Sequence, residues 1–421
     1  MNQKTVSFET YGCAVNKADT EYMAGLLKDS GYGIVDNGYI RVVNTCTVKT
    51  PTERKILKRL RELEEEKRRV VVSGCMPSAQ PEITEEFRDF SFIGVNIRDI
   101  VEAVDETRRG LRFIRISGQG NILGLPKRRL NKLVEIIPIA SGCAGDCSYC
   151  ITRKARGSLQ SRPMEDILER VENSLRAGVR ELWITAQDTG AYGLDSGFSL
   201  PELLNEITKI KGTYRIRVGM MNPQHAIKML DDLVECYRSG KIYGFLHLPV
   251  QSGDNGVLKA MNRRYRVDEF REVVERFREE VNDLSLSTDV ILGFPGEDDK
   301  AFQNTVDLIE EVKPEVLNIS RFWLRPGTRA EEMKQHPTRI TKDRSRVISR
   351  IFREYALEKN RELIGWEGRV LVSEKGRYNS LVGRNQSYKP VILKTSRDVL
   401  GKFVNVRVDD ATFYDLRGVL V

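Results

Sequence analysis

The sequence predicts an α/β chain in three parts: an N-terminal parallel α/β sheet, a central partial (β/α)6 barrel, and a small all-β barrel at the C-terminus. Three observations carry this: strand–helix alternation over residues 1–125, six further strand–helix repeats over 134–355, and a change to short alternating runs over 360–421. A chain of 421 residues has room for two or three domains at roughly 150 residues each.

In the first part, residues 4–9 alternate polar and apolar before Tyr11-Gly12-Cys13 breaks the strand. A helix pattern follows over Ala18–Leu27, a strand over Arg41–Asn44, a helix over Thr52–Glu66 and a third strand over Val70–Ser73. Cys13, Cys46 and Cys75 each come directly after one of these strands. Such positions share the carboxyl edge of an open α/β sheet, where ligands bind. One such cysteine is usually a small buried hydrophobe; three in equivalent positions favour a shared ligand. Residues 107–133, rich in glycine and ending in Lys127-Arg128-Arg129, read as a linker, mostly solvated loop.

The barrel strands are expected at Glu135–Ala140, Glu181–Thr185, Tyr214–Gly219, Gly244–Val250, Leu284–Leu292 and Glu315–Phe322. Helices are expected between them at Met164–Ala177, Pro201–Lys209, Gln224–Tyr237, Val267–Val281 and Lys300–Val312. Function in such a barrel sits at the carboxyl ends of the strands. Thr338–Asn360 reads as a long charged helix leading to the third part, whose strands are expected at Gly368–Ser373, Ser380–Gly383, Pro390–Leu393, Phe403–Val408 and Gly418–Val421.

Composition bounds the function. Hydrophobic residues make up 40% and charged residues 30%, which supports a buried core and excludes a disordered chain. No apolar run reaches 18 residues and the N-terminus lacks a hydrophobic leader core, so neither a membrane span nor a signal peptide is expected, and the expected location is cytoplasmic. A net charge of +8 is compatible with simple solubility or with a polyanionic partner. With only three His, histidine-rich metal sites and His-based triads are poorly supplied. Seven Cys, an odd number, point to metal or redox chemistry in preference to a disulfide framework.

The strongest motif is Cys143-Ala-Gly-Asp-Cys147-Ser-Tyr-Cys150, placed just after the first barrel strand. Three thiolates in this spacing can hold three irons of a [4Fe–4S] cluster and leave the fourth iron open to a ligand. A structural zinc site wants four ligands, and no His or fourth Cys lies nearby. Gln187 and Asp188 end one strand and offer polar groups, Asp188 serving equally as a helix N-cap. Gln251 and Ser252 end another, and Asp289 with Gly293-Phe-Pro-Gly-Glu297 ends a third, where glycine permits close backbone approach. Arg263 and Arg325 suit a carboxylate or phosphate, though a solvated arginine is the ordinary case. Cys236 reads as a structural thiol, and His225, His247 and His336 are not placed as ligands. The third part carries eleven Lys+Arg against seven Asp+Glu, with Tyr378, Tyr388, Phe403 and Phe413 among them. Basic groups that follow phosphates and aromatics that stack on bases suit nucleic acid; the aromatics equally suit a small core.

The CxxxCxxC motif, with Tyr149 before its last cysteine, resembles the radical S-adenosylmethionine superfamily. The segments Thr10–Cys13, Asn44–Cys46 and Ser73–Cys75, together with the C-terminal part, resemble the methylthiotransferase family within it, over almost the whole chain. The stretches Asn44–Glu53, Cys75–Pro81, Thr185–Gly193, Gly219–Pro223, Leu246–Gly253 and Phe322–Thr328 resemble the archaeal and eukaryotic branch that acts on threonylcarbamoyladenosine (t6A) at position 37 of tRNA.

The resemblance implies a sulfurtransferase-type enzyme with a methylthiotransferase domain over 1–125, a radical S-adenosylmethionine domain over 134–355 and a TRAM RNA-binding domain over 360–421. It implies a catalytic [4Fe–4S] cluster on Cys143, Cys147 and Cys150 and an auxiliary [4Fe–4S] cluster on Cys13, Cys46 and Cys75. S-adenosylmethionine is then both methyl donor and radical source, near Tyr149, Gln187, Asp188, Gln251, Ser252, Asp289 and Gly293. The anticodon stem-loop of tRNA would meet Arg377, Arg384, Lys389 and Lys394, and an electron donor and a sulfur donor are further partners. Two other substrates share this chemistry: isopentenyladenosine in tRNA and an aspartate of a ribosomal protein. A redox-sensing iron–sulfur protein that binds RNA without catalysis, and a zinc-dependent RNA-binding module, are the readings from other classes.

Overall fold

The computed structural model describes residues 3–118 and 120–421; Met1, Asn2 and Gln119, touched by the leader and linker readings, lie outside them. The N-terminal sheet has six parallel strands in the spatial order 33–34, 5–10, 40–45, 69–74, 91–93, 114–115. Successive side chains alternate faces along each strand. Val42 and Val71 therefore pack on one side with the helices Ala14–Asp29 and Ile100–Arg109, and Val43, Val70 and Val72 on the other with Thr50–Glu65. The latter helix begins with Pro51 in its first turn and buries Ile56, Leu60 and Leu63 along one stripe.

The first helix departs from simple amphipathicity because both of its sides are covered. It packs on the N-terminal sheet and on the first barrel strand, and it buries Asn16, Asp19, Thr20 and Glu21. Its Gly25 lies against the backbone of Pro126: a Cβ there would sit 2.2 Å from the Pro126 carbonyl oxygen. Gly25→Ala is therefore expected to lower the thermal midpoint, with overpacking of about 1–3 kcal/mol exceeding the ~1 kcal/mol that alanine gains over glycine in a helix. A scanning melt of the two proteins checks this.

The linker reading needs correction. Residues 107–109 close a helix, Ile114–Arg115 form the edge strand, and the Lys127 side chain is fully buried. Its ammonium lies 3.1 Å from Glu21 and 2.6 Å from Glu135 on the first barrel strand, while Arg129 and Arg170 also pair with Glu135.

Six parallel strands, Val134–Pro138, Glu181–Thr185, Arg215–Val218, Phe245–His247, Ser285–Leu292 and Val316–Arg321, form two three-stranded sheets in sequence order. Backbone bonds from Ile216 to Lys241 and from Tyr243 to Ile216 carry one sheet into the next. Among the described residues no ladder joins the last strand to the first, so the barrel is open. Leu182, Ile184, Ile216, Val218, Leu246 and Leu286 pack outward in the core. The predicted helix Gln224–Tyr237 is broken into Pro223–Ala226, a 3-10 turn and Leu230–Tyr237.

The helix Thr338–Arg361 runs beside the last barrel strand into a closed five-stranded barrel, order 367–375, 381–384, 390–393, 416–420, 403–411. This barrel sits at the amino ends of the central strands. Ser373 donates to Glu181 at 2.6 Å, the Gly244 amide donates to the Gln386 carbonyl at 2.8 Å, and Arg215 lies over the Phe403 ring. Among the described residues no helix is long and apolar enough to cross a membrane.

Candidate functional site

At the opposite, carboxyl ends of the central strands lies a cavity of about 260 Å3. Cys143, Cys147 and Cys150 line it, together with Tyr149, Gln187, Asp188, Gln251 and Asp289. The three thiols follow the first barrel strand on a loop whose Ser148 amide donates to the Met261 carbonyl, fixing the loop against the fourth β/α unit. Burial pushes the Cys143 thiol up to about 12 and raises Cys150, so metal loading must displace their protons. The Gly145 amide points at the Cys143 sulfur at 3.2 Å and Arg263 donates to the Cys147 sulfur at 3.3 Å, contacts that favour thiolates once formed.

Asp188 caps a turn at the cavity's edge. One carboxylate oxygen accepts the Gly190 and Asn222 amides, each at 3.1 Å, capping a turn, while the side chain borders the cavity. Burial raises this carboxyl and lowers the neighbouring His225, 3.6 Å away. Gln187 Oε1 and Asn222 Oδ1 are buried acceptors without a hydrogen-bond partner among the described residues, and both side chains line the cavity. His247, unassigned in the sequence, hydrogen-bonds Asp289 across adjacent strands at 2.8 Å.

Two expected residues lie off the cavity wall. Ser252 is fully buried, its hydroxyl shared between Thr305 and the Asp254 amide. Gly293, at φ +73°, faces the long helix: a Cβ there would meet Thr341 at 2.1 Å. The Gly293 amide donates to Glu297, whose carboxylate is held by Arg344 of that helix at 2.6 Å. The glycine-containing turn thus seats a helix.

The N-terminal cysteines form a second group. Register pairs Thr10 with Asn44 and Thr45 with Gly74, so the residues after those strands emerge side by side. Cys46 and Cys75 are buried and Cys13 is exposed. Burial pushes the Cys46 thiol up to about 11 and raises Cys75. Asn16 stands among them: its Oδ1 is 3.7 Å from the Cys13 sulfur and 3.9 Å from that of Cys75, and its Nδ2 donates to the carbonyls of Tyr11 and Thr45. The Cys13–Asn16 interval, one helical turn, was the available sequence signal.

Arg156 joins the two groups. It ends the short helix Thr152–Arg156, directly after Cys150, and donates to Asn16 at 2.9 Å and Asp19 at 2.7 Å. That helix packs on Cys75–Ala79, with Ile151 and Ala155 against Cys75 and Ala79. Arg325 is a second tie. Instead of being solvated it is buried, donating to the Thr47 carbonyl and Glu53 at 2.7 Å each and to Thr50 at 2.8 Å. Val48 and Lys49, just past Cys46, consequently line the cavity.

Among the described residues no three His, Cys, Asp or Glu side chains are grouped to hold a single metal ion. A [4Fe–4S] cluster asks less convergence, since each thiolate takes its own iron. Cys236 is buried, 3.2 Å from Asn205 Oδ1 and away from both trios.

On the C-terminal barrel, Arg377 and Lys394 are exposed and Tyr378 is 96% exposed. Arg384 and Lys389 are only partly exposed and have partners within the protein. Arg384 pairs with Glu374 and lies over Tyr388, and Lys389 donates to Asn360 of the long helix at 2.7 Å. Tyr388 packs against Tyr243 and Phe245 of the central domain, Phe403 lies beneath Arg215 and Arg369, and Phe413 beneath Arg353.

Comparison with known proteins adds family evidence. The family model described as "Radical SAM superfamily" matches residues 137–309, "Uncharacterized protein family UPF0004" matches 5–93, and "TRAM domain" matches 361–421. The "Probable threonylcarbamoyladenosine tRNA methylthiotransferase" of Pyrococcus horikoshii is 44% identical over 99% of both chains. The threonylcarbamoyladenosine tRNA methylthiotransferase of Homo sapiens is 39% identical over 97% of this chain and 72% of its own. The solved radical S-adenosylmethionine methyltransferase TsrM of Kitasatospora setae, 15% identical, shares the fold with a TM-score of 0.57 over 78% of this chain and 77% of its own. This chain belongs to the threonylcarbamoyladenosine tRNA methylthiotransferase family.

Proposed function

We propose that this protein transfers a methylthio group to C2 of N6-threonylcarbamoyladenosine at position 37 of tRNA. In this reading residues 1–125 hold an auxiliary [4Fe–4S] cluster on Cys13, Cys46 and Cys75, and residues 134–355 hold the radical-generating cluster on Cys143, Cys147 and Cys150. Residues 360–421 hold RNA through exposed groups such as Arg377 and Lys394, and an electron donor and a sulfur donor complete the system. The observation that carries the reading is the junction of the two thiol trios: Arg156, six residues after Cys150, reaches Asn16 among the N-terminal cysteines.

When bound, the cluster and S-adenosylmethionine supply a carbon-centred radical able to take hydrogen from an unactivated C–H position. The chain's own residues do the rest. Cys143, Cys147 and Cys150 would hold the cluster, and with only three thiolates it would remain able to take the cofactor's amino acid end. Gln187 Oε1 and Asn222 Oδ1, buried and unpaired, are acceptors fitted to the N–H groups of its amine. Arg263 offsets the thiolate charge at Cys147. Val290, Ile291 and Phe322 give the cavity an apolar wall that limits water beside a reactive radical. The adenine must leave its stack to enter, which a single-stranded anticodon loop makes inexpensive.

The direct test is anaerobic turnover by reconstituted protein with S-adenosylmethionine, a chemical reductant and stem-loops bearing t6A, isopentenyladenosine or adenosine. Mass spectrometry of the digested nucleosides is expected to show a methylthio gain on t6A alone. 5′-Deoxyadenosine without modified nucleoside would discard this substrate, and neither product from protein carrying both clusters would discard the enzyme reading.

A further inference from the structure

The cavity holds a positive charge that the folded chain leaves without a counter-ion. Its acids are already engaged: Asp188 with two backbone amides, Asp289 with His247. Two of its arginines are engaged as well. Arg263 donates to Cys147, the Pro249 carbonyl and Tyr265, and Arg325 to Thr47, Thr50 and Glu53. Arg321 differs. Among the described residues its guanidinium has neither ion pair nor hydrogen bond, and it lies 4.8 Å over the Trp323 ring.

Its position follows from the strand. Arg321 is the last residue of Val316–Arg321, at the cavity end, and Trp323 comes two residues later, just past the strand, where its ring meets the guanidinium. Phe322 between them also lines the cavity and meets Phe294 edge-on, which in turn meets Tyr149 of the cysteine loop. Arg321 and Trp323 both line the cavity. A guanidinium laid on an indole is held in plane and presents its donors outward, the geometry that matches a carboxylate in bidentate fashion. The indole also offers an apolar face to a base.

We propose that Arg321, backed by Trp323, binds the carboxylate of the substrate's threonylcarbamoyl group and so selects t6A over unmodified or isopentenyl-bearing adenosine. This rests on the proposed function. The t6A side chain ends in a free amino-acid carboxylate, whereas an isopentenyl group is wholly apolar. In the proposed function the cofactor's own amino acid end would be held by the cluster on Cys143, Cys147 and Cys150, beside Arg263. Arg321 stands instead on the last strand of the open barrel.

The test uses full-length, cluster-reconstituted protein and its Arg321→Met and Arg321→Lys variants. Equilibrium binding of t6A and adenosine stem-loops is measured at one salt concentration, beside kcat/KM for t6A and RNA-free 5′-deoxyadenosine formation. Arg321→Met is expected to weaken binding of the t6A stem-loop about 10- to 100-fold, the range for one charge-assisted contact, and to erase its preference over adenosine. Arg321→Lys, which keeps the charge but loses the fork, is expected to retain part of that preference and controls for folding. Equal weakening of both stem-loops would assign Arg321 to the RNA backbone or to the fold and overturn the proposal. A fall in RNA-free 5′-deoxyadenosine would assign it to the cofactor and also overturn it. Wild type that methylthiolates t6A, with Arg321→Met indistinguishable from it, overturns this inference alone. Wild type that neither modifies t6A nor prefers it overturns both.

Discussion

Replacing Cys143, Cys147 or Cys150 with Ala is expected to abolish both 5′-deoxyadenosine and methylthiolated nucleoside. Replacing Cys13, Cys46 or Cys75 is expected to reduce the nucleoside product to background while 5′-deoxyadenosine formation continues. The split follows from the proposed function, in which the two thiol groups serve different steps of one reaction on opposite sides of a junction closed by Arg156. The variants should fold, because each removes only a sulfur from a small side chain, and only Cys46 and Cys75 among the six are buried. Iron content should fall by about half in either class, a stoichiometry expected for two clusters of equal size. Paired chromatography of 5′-deoxyadenosine and digested nucleosides reads the outcome. Product from a Cys75→Ala protein would remove the auxiliary site from the mechanism.

Lys127→Met is expected to be the most destabilising single change outside the cysteines. It leaves Glu21 buried without its partner cation, and losing one member of a buried pair costs about 3–5 kcal/mol. Glu135 is protected by Arg129 and Arg170; burial acts to raise it, yet its cations hold it below the ordinary carboxylate range. Glu21 behaves oppositely: burial raises its carboxyl even with Lys127 beside it. A carboxyl whose folded value is raised binds its proton more tightly folded than unfolded. Its favourable contribution is present at low pH and lost as pH rises through that folded value. Without Lys127 the shift grows. The deficit of the variant is therefore expected to be largest near pH 8 and to shrink towards about pH 5, as Glu21 takes up a proton. Denaturant midpoints at the two pH values measure it; a deficit independent of pH would mean that Glu21 finds another partner.

Much of this architecture was legible because it is local. The six central strands, the turns that end them and the CxxxCxxC loop are short-range patterns, and the three N-terminal cysteines follow strands whose ends lie in register. The less legible features depend on surfaces that meet far apart in sequence. Lys127 reads as a solvated basic run until the first helix and the first barrel strand close over it. Arg325 reads by default as a solvated arginine and Arg156 carries no sequence signal, although each crosses to the N-terminal part. His247 gains a role only when its strand pairs with that of Asp289. Gly293 was assigned close backbone approach; the approach is real, but its partner is Thr341 of a helix that begins some forty-five residues later. Arg384 and Lys389 were read by charge alone, and charge does not reveal that Tyr388 and Asn360 occupy them.

The seating of the C-terminal barrel at the amino ends of the central strands would, under the proposed function, divide the molecule's contacts with RNA. The cavity opens at the carboxyl ends, so the two are separated by at least the length of a strand, about 17–20 Å for five or six residues. A ligand that spans both is bivalent, and its second contact forms at an effective concentration set by the rigid scaffold between them. A nucleoside or short loop can occupy only one end. Under the proposed function the chain would thereby measure substrate length as well as base identity: a folded anticodon arm would gain avidity that no fragment of it could recover by fitting the cavity more closely.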